Sequence, residues 1–299
     1  MCVCTYRRNE PLERLLTRLA EIGEAAHDFE LALVVADDNP GALARPVVEA
    51  FADRFPLGVY HLVNGTQNIS NGRNLALAKA VEIADVAVMT DDACVPEPQW
   101  IDALLRSFEA AGADSVTGPM VADVADGAAS WIHRERLFER LDAFPAADVA
   151  IEHGQTNNCL ISCEWLRAHP AHRFDPALGR LGGEDMVFFR GAVRLGLRSW
   201  FSADAKVHSV EPLEELTLRA LVRTYCWLGN SDAVVNLHLG TATRRRLALR
   251  GVRRVVESSL RPIGRLARGK RPEVRSALVL AARGGGAVAG SFGVRVRHH

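Results

Sequence analysis

The chain has 299 residues, 48% of them hydrophobic, and its 36 basic and 36 acidic residues give a formal net charge of zero. That length and apolar content suit one or two packed domains and exclude a disordered or fibrous chain. No stretch of about 18 uninterrupted apolar residues occurs and the first residues lack a secretory leader's charged-then-apolar order, so neither a membrane span nor export is expected and the cytoplasm is the expected location. The six cysteines are scattered without zinc-type pairing and are expected to be reduced core thiols.

In chain order, Met1 to Thr5 (MCVCT) is expected to be a strand, beginning so abruptly that a clipped start is expected with it. Asn9 offers an N-cap, and Leu12, Leu15, Leu16, Leu19 and Ile22 follow at helical spacing. Leu31 to Ala36 is a second buried strand ending in Asp37 and Asp38, and Gly58 to Val63 is a third. Ser70 is positioned to cap a helix running to about Ile83. Val86 to Thr90 is short, apolar and β-branched, which suits a strand buried on both faces, and it stops at Asp91 and Asp92 before Pro96 and Pro98. Strand and helix alternating at this spacing imply a parallel, doubly wound array.

A helix is expected from Pro98 to Ala111 and a strand from Asp114 to Val121. Residues 122–155 carry an amphipathic patch at Trp131 to Leu141 but no clear sheet signal. Asn157 to Ser162 is expected as a strand, Glu184 to Leu195 as a helix opened by Gly182 and Gly183, and Arg198 to Ser202 and Lys206 to Val210 as short strands. A long helix from Glu214 to about Leu237 precedes an Arg-rich helical segment expected to dissolve at Gly284 to Gly286. From Thr241 to His299, fourteen arginines and Lys270 face only Glu257 and Glu273, a net charge of +13 that leaves the first 240 residues at −13. Such a segment points to an anionic surface, whether lipid headgroups, the acidic body of the same protein or nucleic acid, or to a solvated helical appendage packed on the main domain; peripheral contact with an anionic membrane is expected and nucleic acid is not.

Thr5-Tyr6-Arg7, Asp37-Asp38 and Asp91-Asp92 all fall at carboxyl ends of predicted strands. An open α/β sheet binds ligands at that edge, and a divalent cation on the carboxylates is suited to a diphosphate. Arg73, at a helix start, is placed to address an anion.

The segments CTYRR, LVVADDN, NISNGRNLALAKA, MTDDACVPEPQW and GGEDMVFFRGAVRLG occur in the order and at roughly the spacings of family-2 glycosyltransferases, which residues 1–235 resemble. The resemblance implies a GT-A fold, a Rossmann-like doubly wound mixed sheet flanked by helices. It divides into a nucleotide-binding half (1–120) and an acceptor-binding half (121–240), followed by a basic helical extension (241–299). It implies Thr5, Tyr6, Arg7, Asp38, Arg73 and Asp91 at a nucleotide-sugar donor, and Asp92 on both the donor and a metal, Mg²⁺ or Mn²⁺, with His208. Asp185 becomes the general base, while Glu184, Asn157 and Asn158 face a hydroxyl acceptor. The reaction implied is inverting transfer of one sugar, most simply from a UDP-sugar.

Two departures from the family pattern stand out. Ala93 replaces an acid common in the metal motif, and RTYCWLGN (Arg223 to Asn230) stands where polymerising relatives carry QxxRW. The second argues against a processive synthase. A sugar nucleotidyltransferase is the enzyme alternative, but the turn after the first strand, TYRRNEP, has no glycine to cradle phosphate. A non-catalytic nucleotide-sugar-binding scaffold is the alternative from another class.

Overall fold

The computed structural model of the chain describes residues 1–25, 28–138 and 144–296. The chain divides into two compact units: Met1–Ala122 with Phe144–Arg180 and Glu184–Val210, and Asp123–Ala143 with Leu181–Gly183 and Glu211–His299. The last residues of the expected amphipathic patch, 139–141, lie outside the described residues.

The strands are β1 (Cys2–Thr5), β2 (Leu33–Asp37), β3 (Val59–Val63), β4 (Val86–Asp91), β5 (Cys94–Pro96), β6 (Ser115–Thr117), β7 (Met120–Val124), β8 (Val149–Ala150), β9 (Asn158–Ser162), β10 (Ser199–Phe201) and β11 (Val207–Glu211). Eight of them form one sheet in the order β3-β2-β1-β4-β9-β6-β10-β8. The β3-β2-β1-β4 portion is parallel, while β9 runs antiparallel to both β4 and β6, so the sheet is mixed. Successive strand residues point to opposite faces and feed two cores. Val3, Leu33, Val35, Val88 and Leu160 join the side chains of helices Asn9–Glu24 and Trp100–Ala111. Cys2, Val34, Ala36, Met89 and Ile161 join those of helices Ile69–Ile83, Cys163–Ala168 and Glu184–Arg194.

Several local expectations are corrected. The strand expected over 114–121 is two strands in different sheets. Pro119 has no N–H to continue a ladder, and Gly118 lies so close to the Ala205 carbonyl that any Cβ there would collide with it. Asn9 does not cap its helix: Arg8 occupies that position, and the Asn9 amide donates to the Leu43 carbonyl at 2.9 Å. Ser70 does not cap either. Asn68 does, accepting from the Asn71 N–H, while the Ser70 hydroxyl donates to the Asp175 carbonyl.

The second unit is organised around helices Leu218–His238, Arg244–Leu266 and Val274–Ser291. The first begins four residues later than the sequence suggested, at a Thr217 cap. The glycine run does not end the third helix, contrary to expectation. Gly284 faces the Gly251 carbonyl and Gly286 faces the Cys226 carbonyl, so a Cβ at either would strike backbone of a neighbouring helix. Gly229 and Gly290 are equally close to Arg283 and Asn230. Without side chains the three helices approach backbone to backbone, which outweighs glycine's weak helix propensity of about 1 kcal/mol. Trp131, Ile132, Leu137, Leu216, Leu221, Tyr225 and Val279 supply this unit's own apolar cluster. Among the described residues no helix is long and apolar enough to cross a membrane.

Candidate active site

The parallel register brings the expected residues to one edge: Thr5 lies opposite Asp37 on one side of β1, and Cys4 opposite Asp91 on the other. Three strand ends therefore present polar side chains together, which a set of unrelated turns would not do.

The two acidic pairs divide their work. Asp37 is a structural carboxylate: Oδ1 accepts from Asn39 N at 2.9 Å and Oδ2 from Ala44 N at 2.8 Å, closing the turn after β2. Asp38 Oδ1 accepts from the backbone N–H of Thr66 and Gln67 and from the Asn64 amide, which fixes loop 64–67 beside the strand ends. Arg180 secures the same loop by donating to the carbonyls of Thr66 and Gln67.

Asp91 is 47% exposed, whereas Asp92 is only 6% exposed. Asp92 Oδ2 accepts from the Thr5 hydroxyl at 2.8 Å and Oδ1 pairs with the Arg8 guanidinium at 3.1 Å. Burial pushes its carboxyl above the ordinary range, and Arg8 and Thr5 oppose that push. Tyr6 is half-buried, with the exposed Arg7 guanidinium 5.1 Å from its ring centre. Arg7 adopts φ 55°, a left-handed turn at the strand exit.

Arg73 is buried, as is Glu184, and their side chains form a direct ion pair. The other Arg73 terminal nitrogen is 3.6 Å from Asp91, and the guanidinium stands 5.7 Å from the Phe174 ring centre. Burial works against the charge on Arg73, but Glu184, Asp91 and Asp185 outweigh it and hold the group protonated. Arg73 thus ties the exposed carboxylate at the end of β4 to the start of helix Glu184–Arg194. Glu184 Oε2 is buried without a hydrogen-bond partner among the described residues.

Asp185 follows Gly182 and Gly183, whose φ angles of 85° and 89° only glycine adopts without strain. Its Oδ1 accepts from Met186 N at 2.7 Å. Burial first, then the Glu184 charge, pushes its carboxyl up to about 6. A carboxylate with that affinity can take a proton near neutral pH and give it up again.

Asn158, expected at an acceptor, is instead structural. Its amide nitrogen donates to the Pro119 and Ala205 carbonyls at 2.9 and 2.7 Å, and its oxygen accepts from Trp100 Nε1 at 2.8 Å, so its polar atoms serve the fold. Asn157 differs. Its amide nitrogen lies 3.0 Å from Met120 Sδ, and its Oδ1 is buried without a partner among the described residues.

His208 sits opposite Val95 in the β5–β11 pairing, and its Nε2 is 3.3 Å from Glu97 Oε1. Among the described residues no three His, Cys, Asp or Glu side chains are gathered into a metal cage. The donor set fits a cation shared with a substrate, since Mg²⁺ is commonly held by one or two carboxylates and completed by phosphate oxygens. Asp92 supplies such a carboxylate, with Thr5 on one oxygen and Arg8 on the other.

Sequence reasoning missed Arg8, Glu97, Phe174 and Arg180. Arg8 had a signal, as the second arginine of TYRR next to a strand-end Thr. Phe174 had none, because only the fold brings it beneath Arg73.

Comparisons with known proteins bear on the family and the fold. The description Glycosyl transferase family 2 matches residues 1–200. The chain is 30% identical over 222 residues to the succinoglycan biosynthesis protein ExoM of Rhizobium meliloti (strain 1021), covering 74% of this chain and 69% of that protein. Among solved structures, S. aureus TarS 1–349 in complex with UDP-GlcNAc matches with a TM-score of 0.54 at 15% identity, covering 94% of this chain and 89% of that one. Against a longer TarS structure the chain spans 38% of that protein's length. GalNAc-T7 with UDP, GalNAc and Mn²⁺ matches with a TM-score of 0.54 at 17% identity, over 78% of this chain and 49% of that one. At these identities the structural likenesses establish the α/β GT-A fold.

Proposed function

This chain belongs to glycosyl transferase family 2 and is a glycosyltransferase, and from that premise we propose that it moves one sugar from a nucleotide-diphosphate sugar to a hydroxyl acceptor by inverting displacement, with Asp185 as general base. The observation that carries this reading is the buried Arg73–Glu184 pair, which reaches out to the exposed Asp91 at the end of β4, beside an Asp185 carboxyl pushed up to about 6.

In the proposed step the acceptor oxygen attacks the anomeric carbon from the face opposite the diphosphate. The bond from that carbon to the diphosphate oxygen breaks, and the acceptor hydroxyl proton passes to Asp185. Its Oδ1 is held by Met186 N, and Oδ2 is the oxygen proposed to take the proton. One displacement inverts the carbon and requires no enzyme nucleophile. Arg73 acts on Asp185 indirectly, by anchoring the preceding Glu184. Asn157 and Glu184, whose Oδ1 and Oε2 are buried without partners among the described residues, are the proposed acceptor contacts.

On the donor side, Thr5, Tyr6, Arg7 and Asp38 surround the strand ends where a nucleoside would lie. UDP is the proposed carrier, supported by the UDP-containing TarS and GalNAc-T7 neighbours. Mg²⁺ or Mn²⁺, held by Asp92 and His208, would supply Lewis-acid neutralisation of the leaving diphosphate.

A thermal-shift screen of UDP, GDP, dTDP and CMP with and without Mn²⁺ tests the reading, with Asp92→Ala as control. A ligand bound only by the folded state raises the melting temperature by mass action. The proposal expects a shift that requires UDP and the metal together and vanishes in the variant. A nucleotide shift indifferent to both the metal and Asp92 would overturn the donor-site assignment.

A further inference from the structure

Helix Arg244–Leu266 buries Leu247, Gly251 and Ser258 along one side. Its opposite side carries Leu249, Val252, Val256, Leu260, Ile263 and Leu266, with exposures running from 49% at Val252 and Val256 to 65% at Leu266. The spacing of three and four residues aligns these six on one helical stripe. A contiguous exposed apolar stripe is uncommon on a soluble surface and marks an interaction site. Along one flank lie Arg246, Arg250, Arg253 and Arg261, all exposed. The N-terminal end of the helix also borders an open hollow of about 420 Å³ lined by Thr243, Arg245, Arg246, Leu249, Arg250 and Arg253.

We propose that this face is a binding surface for an anionic lipid bilayer, with the helix lying in the interface, its leucine and isoleucine stripe among the acyl chains and its arginines on the headgroup phosphates. Charge complementarity names the occupant, because the segment from Thr241 onward carries a net charge of +13. The apolar stripe separates a bilayer from other polyanions: nucleic acid satisfies the arginines but offers no apolar phase for Leu260 and Ile263. An arrangement of apolar face, basic flank and low overall hydrophobicity is that of helices that lie on membranes rather than cross them. The absence of a spanning helix among the described residues accords with this. Phe292, 72% exposed just beyond helix Val274–Ser291, adds a further apolar side chain in the same unit.

The surface works independently of the sugar-transfer reading, and its test uses the full chain without a sugar donor. Flotation with vesicles of phosphatidylcholine alone and of equal parts phosphatidylcholine and phosphatidylglycerol compares the wild type with two double variants. These are Leu260→Asp with Ile263→Asp, and Arg250→Glu with Arg253→Glu. All four positions are exposed, and circular dichroism melting is the check that each variant folds.

The wild type is expected to float with the anionic vesicles and not with the neutral ones. Each basic residue at an anionic surface is worth roughly fivefold in affinity, so the arginine variant should lose about tenfold or more, and added salt should release the wild type without any substitution. The aspartate variant should lose about tenfold or more through its apolar contacts. Failure of the wild type to bind anionic vesicles would overturn the proposal, as would undiminished binding by the aspartate variant, which would indicate charge alone and favour a polyanion such as nucleic acid. A wild-type dimer in light scattering, made monomeric by the aspartate pair without any vesicle binding, would assign the stripe to a second copy of the chain.

Discussion

In the sheet unit Arg73, Glu184 and Asp92 are buried and each meets an opposite charge. In the helical unit every arginine of Arg244–Leu266 except Arg265, which pairs with the buried Glu273, lies outside, while the interior is made close by glycines at 229, 251, 284, 286 and 290. The contrast separates two ways of carrying function. Buried charges are costly and tolerable only when paired, so the sheet unit holds its carboxylates at fixed positions and shifted affinities. Exposed charges are cheap, screened by salt and suited to a broad surface rather than to one bond. Each unit should therefore fail differently when its own device is removed.

The largest expected loss is from Arg73→Met, which leaves Glu184 as a buried charge without its partner and should cost about 3–5 kcal/mol of stability. Calorimetric melting checks this. Addition of Glu184→Gln should recover part of the loss, because the two side chains form one coupled pair; unchanged melting of the single variant would mean that the pair does not hold the unit together. In the helical unit, Gly286→Ala places a methyl group against the Cys226 carbonyl. It should cost about 1–3 kcal/mol by overpacking although alanine is the better helix former. A stabilised variant would show that the helices can separate freely. The smallest effect is expected at Arg8→Ala, since Arg8 is half-exposed although its partner Asp92 is buried. Denaturant melting should shift by less than about 1 kcal/mol, and the Asp92 carboxyl should move further upward as its opposing charge is lost.

The difference between the units also explains what the sequence disclosed. Strand ends such as Thr5 and Asp91 follow from short apolar runs that stop at polar residues, and the parallel register sets Thr5 opposite Asp37 and Asp91 opposite Cys4 at the same edge. The GGED segment was legible for the same reason, since positive-φ glycines and an acidic helix start are local features. Asn158 was misread because its partners, the carbonyls of Pro119 and Ala205 and the Trp100 indole, are distant in sequence. The Asn68 cap was displaced to Ser70 because both residue types cap helices and only tertiary contacts decide between them. Gly284 to Gly286 suggested a helix end by propensity, and the close backbone of two other helices reversed that suggestion.

The central claim is that Asp185 takes the acceptor proton. Its affinity is raised, so the folded protein holds that proton more tightly than the unfolded chain. Ionisation therefore works against folding as pH climbs from the ordinary carboxylate range through about 6, the same interval in which the base becomes active. The measurement that tests this most directly is UDP release from a UDP-sugar, supplied with a hydroxyl acceptor and followed across pH for the wild type and Asp185→Asn, with UDP binding titrated in parallel. Wild-type turnover should fall on the acid side with a midpoint near pH 6, and the variant should lose about 10²–10⁴-fold in turnover while binding UDP as tightly as the wild type. Turnover that survives the substitution, or binding and turnover lost together, would contradict the account.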